Sequence, residues 1–148
     1  MSESLANLII RPIRVEDADE INRIHTMIMQ DPPATDFRRI VEAQLLRGES
    51  ASFVAEIDGK IAGFMISYIV YGGYGLEKSA WIANLGVHPK WMGQGIGKLL
   101  AEEIIAFYNK KAIKYIFTSV RWDSADLLSF FKTLGFDRSS FINLRKEL

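Results

Sequence analysis

The feature that most constrains this chain is a turn with three glycines at alternating positions, inside Val87-His88-Pro89-Lys90-Trp91-Met92-Gly93-Gln94-Gly95-Ile96-Gly97-Lys98-Leu99-Leu100. Residues 80–87 before it read as a strand, and Pro89 ends it. After it, Ile96, Leu99, Leu100, Ile104, Phe107 and Tyr108 form one apolar stripe at helical spacing, which predicts a helix over 95–111. A helix start offers unpaired N–H groups and a partial positive charge of about half a unit. Glycines there let a phosphate approach the backbone closely. The turn therefore reads as a pyrophosphate cradle, or as glycines that only make a tight corner.

Two other phosphate loops fit less well. A dinucleotide loop has G-x-G-x-x-G after the first strand, with an acidic residue about 20 positions on. Here the spacing is G-x-G-x-G, two-thirds along the chain and after a hairpin. A nucleoside-triphosphate loop ends in G-K-[ST], and here Gly97-Lys98 is followed by Leu99.

The rest of the chain supplies layers for that helix. Residues 8–14 form a first strand in which Pro12 suits a sheet edge. Glu16 and Asp17 open a helix with Ala18, Ile21, Ile24 and Ile28 on its apolar face, ended by Pro32-Pro33. A second helix over 36–46 turns Phe37, Ile40, Val41 and Leu45 inward and stops at Gly48. Residues 53–71 form a hairpin around Asp58-Gly59. Its second arm is apolar on both faces, as a central strand is. Residues 71–75 form a loop with three glycines. A buried strand over 115–120, a helix over 124–134 ended by Gly135, and one or two strands over 136–144 complete the order β-α-α-β-β-β-α-β-α-β. This predicts an α/β layer fold, one domain over residues 1–148, with a central, mostly antiparallel sheet flanked by about four helices.

Composition narrows the function. Eighteen basic residues face eighteen acidic ones, which gives no electrostatic footprint for nucleic acid or an anionic membrane. The chain has no cysteine, which excludes disulfides, thiolate metal sites and a cysteine nucleophile. Its start, Met1-Ser2-Glu3-Ser4, lacks the basic and apolar regions of a signal peptide. The longest apolar stretch, 61–71, is short of the about 20 residues of a membrane span. A cytoplasmic protein is expected.

The residues Val87-x-Pro89, Met92-Gly93-Gln94-Gly95-Ile96-Gly97 and Leu99-Leu100 together resemble the acyl-CoA-binding motif of the GNAT N-acetyltransferase superfamily. That pattern, Arg/Gln-x-x-Gly-x-Gly/Ala, follows a strand and opens a helix. Phe130-Phe131 with Leu134-Gly135-Phe136 resembles the aromatic pair and Gly-Phe that end the family's last helix. The resemblance spans nearly the whole chain. It implies a GNAT-like fold and transfer of acetyl from acetyl-CoA to a primary amine of a small molecule, peptide or protein, by direct attack on the thioester and without a metal.

Residue by residue, it implies that the backbone of Gly93, Gln94, Gly95, Ile96, Gly97 and Lys98 wraps the pyrophosphate, with Met92 at the motif's first position. Leu85, Gly86 and Val87 would bind the pantetheine arm through main-chain groups, and the N–H near Leu85 would polarise the thioester carbonyl. Ser124 and Phe131 fall at two further coenzyme-side positions of the motif. Three departures stand out. Met92 replaces the usual Arg or Gln, Ser124 replaces Asn, and Phe131 replaces the tyrosine that serves as general acid. Ser119 stands where the subfamily acting on ribosomal-protein N-termini has a glutamate base, so that mechanism does not carry over. An alternative function is a non-catalytic CoA- or acyl-CoA-binding sensor or interaction module.

Candidate catalytic side chains each have a bland counterpart. Glu77 is a base acting through water, or a solvated loop charge beside Lys78. His88 has a suitable ordinary pKa of about 6.5, or is a strand-end surface residue. His25 reads as a packed histidine. Tyr71 and Tyr74 line the acceptor site, or form a lid or a homodimer contact. Trp81, Trp91 and Trp122 read as packing. Among Lys90, Lys98 and Lys132, Lys98 is the one expected to reach a coenzyme phosphate. The acceptor site is expected from residues 30–36 and 71–78.

Overall fold

The computed structural model describes residues 5–29, 35–49 and 51–148. In chain order its elements are β1 (Leu8–Pro12), α1 (Ala18–Ile28), α2 (Phe37–Arg47), β2 (Ser52–Ile57), β3 (Lys60–Tyr71), β4 (Lys78–Val87), α3 (Ile96–Lys110), β5 (Ile116–Thr118) and α4 (Ala125–Thr133). Short 3-10 turns precede β1, α1 and the glycine turn. The strands lie in one sheet in the order β1-β2-β3-β4-β5. The first three pairings are antiparallel and the last, β4 with β5, is parallel. This is the expected mixed, mostly antiparallel sheet with four helices. No helix of the described residues is long and apolar enough to cross a membrane.

Apolar alternation along β3 builds a core on each face of the sheet. Met65 and Ile69 join Leu100 and Ile104 of α3 and Phe131 of α4. Phe64 and Ile66 point the other way, against Ile21 and Ile24 of α1 and Phe37 and Val41 of α2. Asp58 and Gly59 both take positive φ in the two-residue turn between β2 and β3, as the sequence pair requires. Asp36 caps α2 by accepting the Arg39 N–H at 3.1 Å. His25 packs edge-on against Phe37, and burial lowers its pKa.

Two polar clusters hold this frame. Arg11 of β1 donates to Asp17 at 2.8 and 2.9 Å and to Glu56 of β2 at 3.2 Å. Asp17 also accepts the Arg14 N–H at 2.7 Å. Burial pushes the Asp17 carboxyl up, but the Arg11 and Arg14 hydrogen bonds and charges outweigh it and hold the carboxyl below its ordinary value. At the far end of α3, the buried Tyr108 hydroxyl accepts the Ala51 N–H at 3.0 Å and lies 2.7 Å from the Ser67 hydroxyl. The Ser67 hydroxyl also bonds to the Ala51 carbonyl.

Several expectations are corrected. Leu45 and Leu99 are exposed rather than inward. The expected strand over 115–120 shortens to Ile116–Thr118 and is half-buried. Residues 136–144 form no strand. There, side chains take the backbone bonds a sheet would need: Asp137 accepts the Arg138 N–H, and the Ser139 hydroxyl accepts the Phe141 N–H and donates to its carbonyl. Trp91 is buried packing as expected, but Trp122 is 91% exposed.

Candidate active site

The site begins with a register error in the sheet. Ile66 of β3 faces Asn84 of β4, yet Ser67 faces Ile82, so Ala83 has no partner. Such a bulge bends its strand and increases the local twist. Pairing between β4 and β5 covers only Ala80 to Ile82 and stops at the same place. Beyond it β4 runs on to Val87 while β5 has ended, so the two strands part and leave one edge of β4 open.

Main-chain direction follows from alternation. The His88 N–H donates to the Ala62 carbonyl at 2.7 Å, so His88 faces β3. Antiparallel pairs alternate between bonded and non-bonded, so Asn84 and Gly86 also face β3, while the N–H and C=O groups of Leu85 and Val87 face the open edge. Gly86 therefore differs from its expected role: its main-chain polar groups point to β3, not to the cleft. Its lack of a side chain serves packing, because a Cβ would come within 2.8 Å of Phe64 and 2.9 Å of Ile28.

The open edge leads into the glycine turn. None of the N–H groups of Gln94, Gly95, Ile96, Gly97 and Lys98 has a backbone acceptor among the described residues, and no side chain caps α3. Gly93 and Gly95 adopt φ of +78° and +84°, and a Cβ on either would project into open space. Five unpaired donors, a fifteen-residue helix dipole behind them and space where side chains would otherwise stand fit an anionic pyrophosphate. Gly97 works differently. Its Cβ would lie 3.2 and 3.3 Å from the Phe130 ring, so this glycine lets α4 pack against the first turn of α3. Gly97 lies within α3, so its lack of a side chain serves this packing and not a corner.

The expected side chains divide into those near this cleft and those away from it. Phe131 is buried, with its ring 5.1 Å from Phe130 and 5.2 Å from Phe136, in the core cluster against which Leu85 and Val87 pack. Ser124 precedes α4 and accepts the Leu128 N–H through its carbonyl, while its side chain makes no cap bond. Met92 is half-exposed at the mouth of the turn. Lys98 is exposed and sits 3.9 Å from Glu102. His88 Nδ1 accepts the Lys90 N–H at 3.0 Å, so this ring stabilises the turn. Glu77 lies before the start of β4, eight residues from Leu85, about 26 Å along a strand. Its carbonyl accepts the Gly72 N–H at 2.7 Å and closes the loop. The structure does not bring Glu77 to the cleft.

The sequence reading named Tyr74 and Trp81 but not Phe117, which brings them together. Tyr74, at a positive φ of 55°, stacks on Phe117 at 5.1 Å and lies 5.7 Å from Trp81. Trp81 and Phe117 stack at 5.2 Å across β4 and β5. The alternation of Tyr115 and Phe117 in β5 was the available signal. Tyr74 is thus a cover over the paired ends of β4 and β5. Of the expected acceptor segment, residues 30–34 lie outside the described residues. Among the described residues no cluster of three His, Asp or Glu could hold a metal.

Comparisons with known proteins bear on the family and the fold. A family model described as the acetyltransferase (GNAT) family matches residues 18–136. Among solved structures, the chain is similar to an aminoglycoside acetyltransferase, meta-AAC0020, from an uncultured soil metagenomic sample. The TM-score is 0.80 at 22% identity, covering 98% of this chain and 99% of that one. It is similar to the aminoglycoside N-acetyltransferase AAC(6')-Iy in complex with CoA, with a TM-score of 0.81 at 16% identity over 95% and 94% of the two chains. It is also similar to a ribosomal-protein-alanine N-acetyltransferase from Brucella melitensis biovar Abortus 2308, at 0.75 and 16% over 95% and 99%.

Proposed function

Because the chain belongs to the acetyltransferase (GNAT) family, we propose that it moves an acetyl group from acetyl-CoA to a primary amine of a small molecule, peptide or protein. The observation that carries this reading is the row of five unpaired N–H groups at the start of α3, reached directly from the open edge of β4. In the proposal Gln94, Gly95, Ile96, Gly97 and Lys98 hold the pyrophosphate through their N–H groups, with Met92 and Gly93 shaping the entry. Leu85 and Val87 bind the pantetheine arm as a strand would, and Gly86 spaces them. The Leu85 N–H faces the thioester carbonyl and stabilises the negative charge that develops there, a role worth about 10²–10³ in rate where one donor has been removed. The coenzyme supplies an activated acetyl group and a thiol leaving group; the chain supplies position and fixed dipoles. Phe131 borders the site with no proton to give, and Ser124 stands at the opening of α4. Glu77, away from the cleft, has no part in the reading. One domain over residues 1–148 and a cytoplasmic location go with it.

The test is turnover. Acetyl-CoA is incubated with the chain and a panel of amines: an aminoglycoside, a polyamine, a lysine peptide and a peptide with a free N-terminus. The expected result is free CoA thiol and acetylated product with at least one amine, above the rate without protein. Tight CoA binding with no turnover on any amine would favour the non-catalytic sensor reading, which Phe131 and Ser124, standing in place of the usual Tyr and Asn, support.

A further inference from the structure

Two buried polar side-chain atoms of the described residues have no hydrogen-bond partner: Ser79 Oγ and Trp81 Nε1. Such atoms are uncommon in a native fold and ask for an occupant. These two stand side by side. Ser79 pairs with Val70 and Trp81 with Tyr68, so both side chains lie on the sheet face of Phe64 and Ile66, toward α1 and α2. Ala80 and Ile82 face the α3 core instead. Neighbours on one strand face are about 7 Å apart. From Trp81 the strand runs roughly 13 Å, past the bulge at Ala83, to Leu85 on the open edge. On the α3 side that edge is closed, because Leu85 and Val87 pack into the core with Phe131. An acceptor therefore meets the thioester from the Trp81 side.

A tyrosine ring occupies this face. Tyr74 stacks on Phe117 at 5.1 Å, lies 5.7 Å from Trp81 and stands edge-on to Phe141 at 4.7 Å. Its seat is loosely made. The ring stays 39% exposed, and its backbone takes a φ of +55°, a costly conformation for a residue with a side chain. Gly72, Gly73 and Gly75 around it also take positive φ, and a Cβ on any of them would meet nothing within 4 Å. Two backbone bonds close the loop, from Gly72 to Glu77 and from Leu76 to Gly73. The Tyr74 ring ties its tip to the sheet, so the loop can release that ring without opening the core.

We propose that Tyr74 is a displaceable stand-in for the acceptor, and that the acceptor is a primary amine whose far end is a hydroxylated aromatic ring. The proposal rests on the acetyl-transfer reading above and names its substrate class. The acceptor's ring takes the place of Tyr74 against Trp81 and Phe117. Its hydroxyl accepts from Trp81 Nε1, which only donates, and donates to Ser79 Oγ, so one group satisfies both orphaned atoms. The amine then points along β4 toward Leu85 and the thioester. There the amine nitrogen bonds to the acetyl carbon and the C–S bond breaks. The electron pair leaves on the CoA sulfur, and the proton lost by the amine ends on that thiol. An aliphatic amine lacks the ring and an aminoglycoside carries saturated rings, so neither fills the stack.

Proton–nitrogen NMR and kinetics test it. The chain has three tryptophans, and the indole N–H signal of Trp81 is the one lost in Trp81→Phe. With CoA in place of acetyl-CoA no transfer occurs, so binding is read apart from turnover. Tyramine should then move the Trp81 signal downfield and saturably, and further than phenethylamine, which lacks the hydroxyl. With acetyl-CoA, kcat/KM for tyramine should exceed that for phenethylamine by about tenfold, the size of one hydrogen bond between neutral groups, and that for hexylamine or an aminoglycoside by more. Trp81→Phe should erase the difference between tyramine and phenethylamine. Tyr74→Gly keeps the positive φ and removes the competing ring, so it should bind tyramine at least about threefold more tightly, a gain that a packing role alone does not give. A Trp81 signal that does not move, equal kcat/KM for tyramine and phenethylamine, or a Tyr74→Gly variant no tighter for tyramine would each overturn the proposal. Acetylation of other amines without these effects overturns the substrate class and leaves acetyl transfer standing. A Trp81 shift with no turnover of any amine overturns acetyl transfer, and the acceptor role with it.

Discussion

Tyr108→Phe isolates one oxygen atom at the end of α3 opposite the cradle. The ring is fully buried, so the change leaves packing nearly intact. It removes the acceptor of the Ala51 N–H, 3.0 Å away, and a 2.7 Å contact with the Ser67 hydroxyl. Ser67 keeps its bond to the Ala51 carbonyl, but the Ala51 N–H is left buried and unpaired. An orphaned buried donor costs about 1–3 kcal/mol, so we expect a loss of about 2 kcal/mol. For a chain of this length that lowers Tm by about 4–8 °C. Thermal and urea melts followed by circular dichroism measure it, and Ser67→Ala in a double-mutant cycle should show coupling. There is also a pH signature. Burial raises the Tyr108 pKa more than its hydrogen bonds lower it. The unfolded chain then loses this proton first, so the stabilisation is complete below about pH 10 and is lost as pH rises through the folded pKa. Tyr108→Phe should lack that alkaline component. Tyr108 lies twelve residues beyond Ile96, about 18 Å along the helix, so CoA affinity should not change. An unaltered melting temperature would refute the account of this cluster, and a large loss of CoA affinity in the folded variant would refute its separation from the site.

Three further outcomes are expected. Asp17 has a depressed pKa, so its stabilisation is present above about pH 4 and lost as pH falls through the folded value; Asp17→Asn should flatten that acid limb in melts and cost about 2 kcal/mol at neutral pH, whereas an unchanged acid profile would contradict the role given to Arg11. Met92→Ala should change CoA affinity by less than about tenfold, about 1.4 kcal/mol, because main chain forms the cradle; a hundredfold loss with the fold intact would show that the side chain is needed. Phe131→Tyr places a hydroxyl in the cluster against which Leu85 and Val87 pack, so acetyl transfer should rise or its pH profile should gain a limb near about 10; no change in either would remove the last helix from the chemistry.

Much of the architecture was legible because it rests on local rules. Asp58-Gly59 names its turn, the stripe from Ile96 to Tyr108 names α3, and the two-sided apolarity of residues 61–69 names a central strand. The turn of three glycines was legible as a phosphate cradle because helix ends and positive φ belong to the chain itself. What stayed hidden depends on partners distant in sequence. The bulge at Ala83 appears only when β3 and β4 are set in register, and it decides where β5 leaves the sheet and which of Leu85, Gly86 and Val87 face the cleft. Gly97 looks like its neighbours until Phe130 is placed beside it. Glu77 is close to β4 in sequence but at its far end in space. Residues 136–144 have the alternation of strands, yet Ser139, Asp137 and two pinned phenylalanines take their backbone and anchors elsewhere.

The central claim is that the main chain at the start of α3 binds the pyrophosphate of acetyl-CoA. Calorimetry with CoA and with pantetheine, which lacks the pyrophosphate, tests it most directly when wild type is compared with Gly95→Asn. Asparagine tolerates the left-handed conformation of Gly95, where a Cβ meets nothing within 4 Å, so the fold should hold while the side chain fills the cradle. The account predicts that wild type prefers CoA over pantetheine by at least about a hundredfold, about 2.7 kcal/mol, and that Gly95→Asn erases most of that preference. Equal affinity of wild type for the two ligands, or a preference that survives in Gly95→Asn, would contradict it.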